Sequence, residues 1–327
     1  MENGQDLPEK FLERLQKLYS EKELEQILLS LQTKPLPSFR TNTLKTTTKE
    51  LEQTLKKQNF LIEQIPWYQD AFILKNKSTR ELTETEEYKQ GHIYIQNLSS
   101  MIPALVLHPK PDEKILDLCA APGSKTTQIA ALMQNHGELF ANDLSRQRLY
   151  RLKANTEMYG AKTTILNMPG QTLWKKYPEY FDKTLVDAPC SMEGRIRLDD
   201  PDSYKDWSLK KIKDLEVKQK YLLRSAITAT KVGGTIVYST CTLAPEENEG
   251  VIDWILAKEG DAIELEKIEI PNLDLKPGLT KWTKPFHSLL NLSSRVSPSE
   301  VMEGFFIAKM KKLRSTIPPQ VFQKKYR

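Results

Sequence analysis

The chain has 327 residues, a net charge of +5, and a composition that is 39% apolar and 28% charged. This length suits about two domains of ~100 to 200 residues, and the sequence contains no run of about 20 consecutive apolar residues that could cross a membrane. The three cysteines, the lack of a CxxC pair and the four histidines exclude a disulfide scaffold and a zinc site.

The first part of the chain, residues 1–108, predicts a small α+β domain. Helical patterns open it, the proline-bounded link KPLPSFR and another helical stretch come next, and short strands such as FLIEQI, AFILK and HIYIQN complete it. The charged, proline-containing segment LHPKPDEK is the best boundary between this part and the rest of the chain. We therefore expect a leading domain that ends at residue 108.

Residues 109–312 show a regular alternation of apolar strands and helices. The strands are KILDLC, ELFAND, TTILNM, KTLVDAP and TIVYST, and most are followed by a helical pattern. This order predicts an α/β domain with a doubly wound, mostly parallel sheet. The last strand, GFFIAKM, follows a long irregular section and is predicted to be an antiparallel edge strand. Residues 313–327 are predicted to form a basic C-terminal tail.

Each cysteine stands at the end of a predicted strand. In a parallel sheet the carboxyl ends of the strands line the ligand crevice, so thiols there are placed for chemistry. Cys119, on a buried strand, is interpreted as a core residue. Cys190 follows a proline and Cys241 precedes the TLAPEE loop, so both are interpreted as chemical groups. A redox pair is a third alternative, which a reducing compartment disfavours.

The first strand-to-helix turn indicates the class of cofactor. It reads CAAPGSKT rather than GxGxxG, so a dinucleotide is not the expected ligand. Gly123, Ala120 and Ala121 let a ligand approach the backbone, and Ser124 is predicted to cap the next helix. Asp143 ends the second strand, where an acid suits two ribose hydroxyls. This combination predicts S-adenosylmethionine; the alternative is a tight turn followed by a surface aspartate.

The segment Asp187-Ala188-Pro189-Cys190 after the fourth strand indicates the reaction. Methyltransferases that act on exocyclic amines carry an aromatic residue where Cys190 stands. Carbon 5 of a pyrimidine is too weak a nucleophile to take a methyl group directly, so a thiolate first adds to carbon 6. An acid at ring N3 supports that addition, and a base then removes the carbon 5 proton so that the thiol can leave.

Five strings in order carry a family resemblance: LDLCAAPGSKT, AND, LVDAPCSMEG, GGTIVYSTCTLAPEENE and EGFFIAK. The series resembles the RNA cytosine 5-methyltransferases, the group with bacterial ribosomal RNA enzymes and the eukaryotic NOP and Sun-domain proteins. FRTNTLK and YIQNLSSM resemble that family's leading RNA-binding domain and its junction with the catalytic domain. The resemblance covers nearly the whole chain and implies a Rossmann-like class I methyltransferase fold.

The resemblance also implies roles for individual residues. Cys241 would be the nucleophile and Cys190 the base that assists product release. Asp187 would hold or protonate the cytosine at N3, while Lys125 would neutralise the substrate or lower a thiol pKa. The residues expected at the cofactor are Cys119, Ala120, Ala121, Pro122, Gly123, Ser124, Lys125, Asp143, Arg148, Asn167, Gly170 and Asp187.

One position departs from the family pattern. Where the family has Asp-Gly after the third strand, to contact the adenine amine, this chain has Pro169-Gly170 in ILNMPGQT. Two interpretations of Asn167, two residues earlier, stay open. Its amide either takes part in the adenine contact or faces a neighbouring helix.

Several basic segments are candidates for RNA contacts. Arg195 and Arg197 in EGRIRLDDPD are expected over the crevice, where they meet RNA phosphate or pair with nearby aspartates. The tail from Lys309 to Arg327 and the stretch SRQRLYRLK either contact phosphates or are solvated faces. Trp207 either stacks on a base or anchors the core.

The expected partner is single-stranded or loop RNA, because a cytosine must leave its stack before both faces of the ring are accessible. The resemblance favours ribosomal RNA, and transfer RNA stays possible. An idle RNA-binding ribosome-assembly factor, or a methyltransferase for DNA cytosine or a protein side chain, are the alternatives. Since the N-terminal stretch lacks the apolar core of a signal peptide, we expect a cytoplasmic protein, without a metal or membrane segment and monomeric.

Overall fold

The computed structural model describes residues 7–32 and 34–319. Its leading part contains a four-stranded antiparallel sheet with the strand order β2-β3-β1-β4. In chain order the elements are α1 Glu9–Leu18, α2 Glu21–Ser30, β1 Ser38–Thr41, α3 Thr48–Lys57, β2 Ile62–Ile65, β3 Tyr68–Leu74, α4 Thr79–Thr83, α5 Glu86–Lys89, β4 Ile93–Ile95 and α6 Leu98–Leu107.

Local sequence signals explain where the helices of this part begin. At α3 the Thr47 hydroxyl accepts a hydrogen bond from Glu50 N, while the Glu50 carboxylate accepts one from Thr47 N. Ser78 and Glu81 form the same reciprocal capping box at α4. Such a box satisfies two of the backbone donors that a helix start leaves without partners.

The second part is built on a nine-stranded sheet. Strands β7, β6, β5, β8 and β9 are parallel and adjacent in that order. In chain order the elements are β5 Lys114–Asp117, α7 Ser124–Leu132, β6 Glu138–Asn142, α8 Arg146–Met158, β7 Thr164–Leu166, β8 Phe181–Asp187, α9 Leu209–Ala229, β9 Thr230–Thr240, α10 Glu249–Glu259, β10 Ile263–Glu266, β11 Lys276–Pro277, β12 Ser294–Val296 and β13 Phe305–Lys312.

Helices cover both faces of this sheet, so the predicted doubly wound, mostly parallel architecture is confirmed. One apolar cluster joins α9 and α10 to the sheet through residues such as Leu223 and Ile252. The other joins α6 and α7 to the opposite face through Ile102 and Ile129. Helix α6 thus packs on the large sheet, although its sequence lies before residue 108.

The position of the last strand differs from the prediction of an edge strand. β13 is antiparallel to β9, as predicted, but its other side pairs with β10 and β12. These partners come from the irregular section, where strands of two to four residues show no periodicity that the sequence could reveal. β13 is therefore an interior strand.

The predicted basic tail is largely neutralised where the structure describes it. Lys309 lies 2.8 Å from Glu266, and Arg314 lies 2.7 Å from Asp261. Lys312 is buried in β13 and pairs with Glu179. Acids from distant parts of the chain therefore pair with three cations of this segment, whereas Lys311 of β13 has no carboxylate within 4.0 Å in the described ranges. Residues 320–327, with Lys324, Lys325 and Arg327, lie outside the described residues.

None of the helices within the described ranges combines the length and the apolar character that crossing a membrane requires.

Candidate active site

Two thiols meet at the carboxyl ends of neighbouring strands. β8 and β9 are parallel with Asp187 opposite Ser239, so the segments that follow them emerge side by side. Cys190 and Cys241 lie on these segments with their Sγ atoms 3.3 Å apart. The hydrogen bond to Cys241 and burial raise the pKa of the Cys190 thiol well above its usual value. The two thiols therefore form one interacting pair rather than two separate groups.

An aspartate and a lysine form an ion pair beside the thiols. Asp187 Oδ2 lies 2.7 Å from Lys125 Nζ, and Ser239 Oγ donates a hydrogen bond of 2.8 Å to Asp187 Oδ1. Lys125 Nζ also donates to Ser100 Oγ at 2.7 Å. The Lys125 side chain is 6% exposed and that of Asp187 30% exposed. The carboxylate, rather than the ammonium group, is thus the member of the pair that faces the crevice.

The turn before α7 differs in one respect from the sequence prediction. The helix is capped by Gly123, whose φ of +110° lies in the left-handed region that favours glycine. Ser124 is already the first helical residue, so the prediction that its side chain caps the helix is wrong. The small residues Ala120 and Ala121 are buried beside this turn, as the strand-to-helix connection requires.

Asp143 lies at the end of β6 and faces the same turn. Its carboxylate accepts hydrogen bonds from Ser145 N at 2.9 Å and from Ala121 N at 3.3 Å. Arg148 Nη1 lies 3.2 Å from Asp143 Oδ2, and the same guanidinium donates to the carbonyl of Ala121. Arg148 thus links the predicted ribose-binding acid to the first turn.

Asn167 and Gly170 support the backbone of this region. The Asn167 amide donates to the carbonyls of Asp143 at 2.8 Å and Leu144 at 3.0 Å, so it fixes the turn after β6. Gly170 is buried, and a Cβ there would lie 2.6 Å from a methyl group of Leu222. Leu144, which sequence analysis missed, is 54% exposed beside Asp143 and offers an apolar surface. An apolar residue directly after the strand-ending acid was the available signal.

Carboxyl groups lie around Cys119, and their charge indicates which kind of ligand fits the crevice. Burial raises the pKa of Cys119, and the charges of Asp117, Asp143 and Asp187 add to that effect. Burial also raises the pKa of Asp117 to about 7; one of its oxygens accepts from Thr126 Oγ1 at 2.7 Å. An acidic crevice of this kind suits a ligand that carries ammonium and sulfonium cations, and the exposed Leu144 suits a purine.

A large cavity lies over the crevice between the two parts of the chain. Its volume is about 770 Å³, and Tyr94 and Gln96 from the leading part line it together with Pro122 and Met192. Arg195 is also at its wall, where Glu303 and the two thiols raise the pKa of the guanidinium. The cavity is large enough for an unstacked base and its neighbours.

Both arginines that were predicted over the crevice are ion-paired, and Arg195 is the more exposed of the two. Arg195 Nε lies 3.3 Å from Glu303, and its side chain is 55% exposed. Arg197 Nε lies 3.0 Å from Asp199, as the alternative interpretation required. Trp207 donates from its indole nitrogen to Glu193 at 2.8 Å and packs in the cluster that contains α1 and α2. Its role is that of a core anchor.

A buried carboxyl group behind the thiols was also missed by sequence analysis. Glu247 accepts hydrogen bonds from Ser191 N at 3.0 Å and Gln219 Nε2 at 2.7 Å, and from the Ser191 hydroxyl. A hydrogen bond of 2.7 Å joins Ser191 Oγ to Thr242 Oγ1. Because Ser191 follows Cys190 and Thr242 follows Cys241, Glu247 links the two thiol-bearing loops. Burial raises its pKa to about 7.

Comparisons with known proteins agree with this geometry. The model of a family described as 16S rRNA methyltransferase RsmB/F matches residues 104–311, and that of the N-terminal domain of 16S rRNA methyltransferase RsmF matches residues 7–98. Ribosomal RNA small subunit methyltransferase F of Vibrio cholerae serotype O1 (strain M66-2) is 40% identical over 320 residues, which are 96% of this chain and 66% of that protein. The protein of that name from Shewanella sp. (strain ANA-3) is 40% identical over 281 residues, 85% of this chain and 56% of the relative. The chain thus spans less than two thirds of the length of these relatives.

Solved structures show the same fold. A methyltransferase homolog protein from Pyrococcus horikoshii is similar with a TM-score of 0.81 and 33% identity, over 94% of this chain and 95% of that one. NSun6 from Pyrococcus horikoshii with SFG is similar with a TM-score of 0.79 and 25% identity, over 95% of this chain and 100% of the other. The predicted Rossmann-like class I methyltransferase fold is therefore confirmed.

Proposed function

This chain belongs to the 16S rRNA methyltransferase RsmB/F family, and from that membership we propose that it methylates carbon 5 of a cytosine in small-subunit ribosomal RNA. The names of its relatives support the substrate class. The contact of 3.3 Å between Cys190 Sγ and Cys241 Sγ, beside the Asp187 carboxylate, is the observation that carries the chemistry.

Cys241 is the nucleophile in this proposal. Its thiolate adds to carbon 6 of the cytosine, and the electrons of the ring double bond move toward carbon 5, which becomes nucleophilic. Cys190 lies against this sulfur, and their hydrogen bond together with burial raises the pKa of the Cys190 thiol. Asp187 holds or protonates the ring at N3, and the Lys125 and Ser239 hydrogen bonds keep its carboxyl group in place.

Cys190 acts after methyl transfer. Once Cys241 is bonded to carbon 6, Cys190 no longer has the hydrogen bond from that thiol that raises its pKa, and it gives up its own proton to solvent. As a thiolate it then removes the proton from carbon 5; the electrons of that C–H bond restore the ring double bond, and the bond between carbon 6 and Cys241 breaks. The Cys241 thiolate is released and the Cys190 sulfur holds the proton, so the pair is ready for another turnover.

S-adenosylmethionine, when bound, supplies the methyl group at an electrophilic sulfonium carbon. We propose that Asp143 holds its ribose and that the backbone of Ala120, Ala121 and Gly123 contacts its methionine part. Leu144 packs against the adenine. The family's adenine-contacting carboxylate is missing here, because Pro169 stands at its position. The acidic surroundings of Cys119 favour the cation.

The test uses the full chain with tritiated S-adenosylmethionine and small-subunit ribosomal RNA. We expect Cys241→Ala to lose methyl transfer by about 1,000-fold or more. Cys190→Ala should accumulate a covalent protein–RNA adduct on a denaturing gel, and the Cys190→Ala/Cys241→Ala double variant is the matched control without an adduct. Bisulfite sequencing should locate one protected cytosine. An adduct that persists without Cys241 would reverse the assignment, and active protein without a protected cytosine would exclude the chemistry.

A further inference from the structure

A groove lies between α8 and β7, away from the thiols. β7 is the last strand at this end of the large sheet, so one side of the groove is open. The volume of the groove is about 830 Å³. Its wall includes three cations, Arg146, Lys153 and Lys162, one acid, Glu157, and the side chain of Tyr150.

An aromatic side chain projects into this groove without packing in the core. Tyr150 is 77% exposed, more than any other large apolar side chain that the structure describes. Arg146 and Lys153 lie four residues before and three residues after it, so they share its stripe on the helix. An exposed ring flanked by cations at this spacing is typical of a surface that stacks on a base.

Most cations of this region have no acidic partner. Within the described ranges, Arg146, Arg151 and Lys162 have no carboxylate within 4.0 Å, and Lys153, 67% exposed, meets Glu157 only at 3.8 Å. An equally exposed cation elsewhere is closely paired: Arg314, 68% exposed, lies 2.7 Å from Asp261. The region around Tyr150 therefore attracts anions, and its charge is complementary to a phosphate backbone.

Helix α8 separates the groove from the large cavity, whose wall includes Met192 and Gly194 of the loop after Cys190. Asn155 of α8 donates a hydrogen bond of 2.8 Å to the carbonyl of Pro122, which lines that cavity. Leu152 of the same helix packs against Gly123. The cavity and the groove thus lie on two sides of one helix, about 10 Å across. A strand that leaves the cavity over α8 reaches Tyr150.

We propose that this groove binds a single-stranded segment of the substrate RNA that flanks the target cytosine. A base stacks on the Tyr150 ring, while Arg146, Arg151, Lys153 and Lys162 contact the adjacent phosphates. The identity of the partner as RNA rests on the proposed function; the position of the surface rests on exposure, charge and a separation of only one helix from the cavity.

The experiment measures binding of a fluorescent single-stranded 12-nucleotide RNA to the full chain by anisotropy, without S-adenosylmethionine. We expect Tyr150→Ala to weaken affinity about tenfold, and Tyr150→Phe, which keeps the ring, to restore it. Affinity falls as salt rises, and in the double variant Arg146→Gln/Lys162→Gln this dependence should be weaker. The slope of log affinity against log salt concentration should become less negative by about 1.4. Tyr221→Ala is the matched control, since Tyr221 is 50% exposed on α9. Its affinity should equal that of the wild type.

Unchanged affinity and salt slope in the folded variants, checked by circular dichroism, would overturn the proposal. Polyglutamate is then added as a competitor for the bound RNA. If it displaces the RNA equally well from the wild type and from Tyr150→Ala, the proposal is overturned as well, because that result indicates a surface for acidic proteins. Methyl transfer by the wild type is measured separately. If it is absent while Tyr150→Ala loses RNA affinity, the proposed function fails and the binding surface stands.

Discussion

At the residue scale, the thiol pair depends on the carboxyl group of Glu247 behind it. Burial raises the pKa of Glu247 from 4.5 to about 7 in the folded protein. Between these two values the folded state binds more protons than the unfolded state, so stability falls as pH rises. Below about pH 4.5 both states are protonated, and above about pH 7 the loss is complete.

This titration predicts a pH-dependent effect of Glu247→Gln, which is neutral throughout. We expect the free energy of unfolding of the variant, minus that of the wild type, to increase by about 2–3 kcal/mol between pH 5 and pH 8. Urea denaturation at each pH measures it. Glu84→Gln, on an exposed helix end, is the control for removal of a surface carboxylate. A difference that is constant with pH would contradict the assignment of a raised pKa.

The Lys125–Asp187 pair gives a second prediction at this scale. Lys125→Met removes the cation but keeps an apolar stem, so Asp187 loses its main orienting contact. We expect kcat to fall by about 100-fold or more with a smaller change in the KM for RNA. A double-mutant cycle with Asp187→Asn should give a coupling energy of about 1–3 kcal/mol in urea unfolding. Additive single effects would show that the two groups do not interact.

Sequence reasoning could predict that Cys190, Cys241 and Asp187 lie close together, because strand ends and their neighbours are local features. It missed Glu247, because that carboxyl group is recognised only by its hydrogen bonds with Ser191 and Gln219, which are distant in the sequence. Asn167 illustrates the same limit. Both of its interpretations fitted the sequence, and neither included the hydrogen bonds that its amide donates to the turn after β6.

At the element scale, two loops approach so closely that only glycine fits between them. Gly194 N donates to the Cys241 carbonyl at 3.0 Å, and Gly304 N donates to the Gly194 carbonyl at 2.9 Å. A Cβ on Gly194 would lie 2.1 Å from the Gly304 carbonyl oxygen. The loop that carries Cys241 is therefore set by a contact between backbones.

We expect Gly194→Ala to lower kcat by about 100-fold, because the backbone next to Cys241 must move. The free energy of unfolding should fall by about 1–3 kcal/mol. Gly233→Ala is the control: nothing lies within 4 Å of its Cβ position, and its φ of +81° carries a strain of about 1 kcal/mol. The control should lose stability without losing kcat. Normal kcat in Gly194→Ala would show that this contact does not position the thiol.

The elements of the central sheet could be predicted from the sequence and those at its far side could not. The sequence shows short apolar runs bounded by turn residues at β5, β6, β8 and β9, and such runs are typical of buried strands. β11 has two residues and β12 has three, so they contain no period. Their pairing depends on β13, which is a long-range partner. The interior position of β13 therefore had no local signal.

At the scale of the whole molecule, the leading part is joined to the large sheet by buried contacts. Arg40 of β1 is 1% exposed and donates to Gln96 Oε1 at 2.9 Å, to Thr127 Oγ1 at 2.8 Å and to the Ser124 carbonyl at 3.1 Å. Apolar residues of α1 and α2 share a cluster with Ile196 and Leu243. The two parts therefore stabilise each other.

We expect unfolding in one cooperative transition, with the same midpoint by near-UV and far-UV circular dichroism. Arg40→Met leaves three acceptors without their donor and should lower the free energy of unfolding by about 2–4 kcal/mol. Lys45→Met, in the same part of the chain but at an exposed contact, is the milder comparison. Two separate midpoints in the wild type would show that the parts unfold independently.

The alignment of β8 with β9 limits how the reaction centre can change. One residue along a strand advances the chain by about 3.3 Å, which is as large as the 3.3 Å between the two sulfurs. An insertion or deletion in either strand therefore displaces one sulfur past the other and turns its neighbours to the opposite face of the sheet. The lengths of β8 and β9 are consequently fixed. Smaller changes in the relative position of the two sulfurs are possible only by substitutions in the loops after these strands.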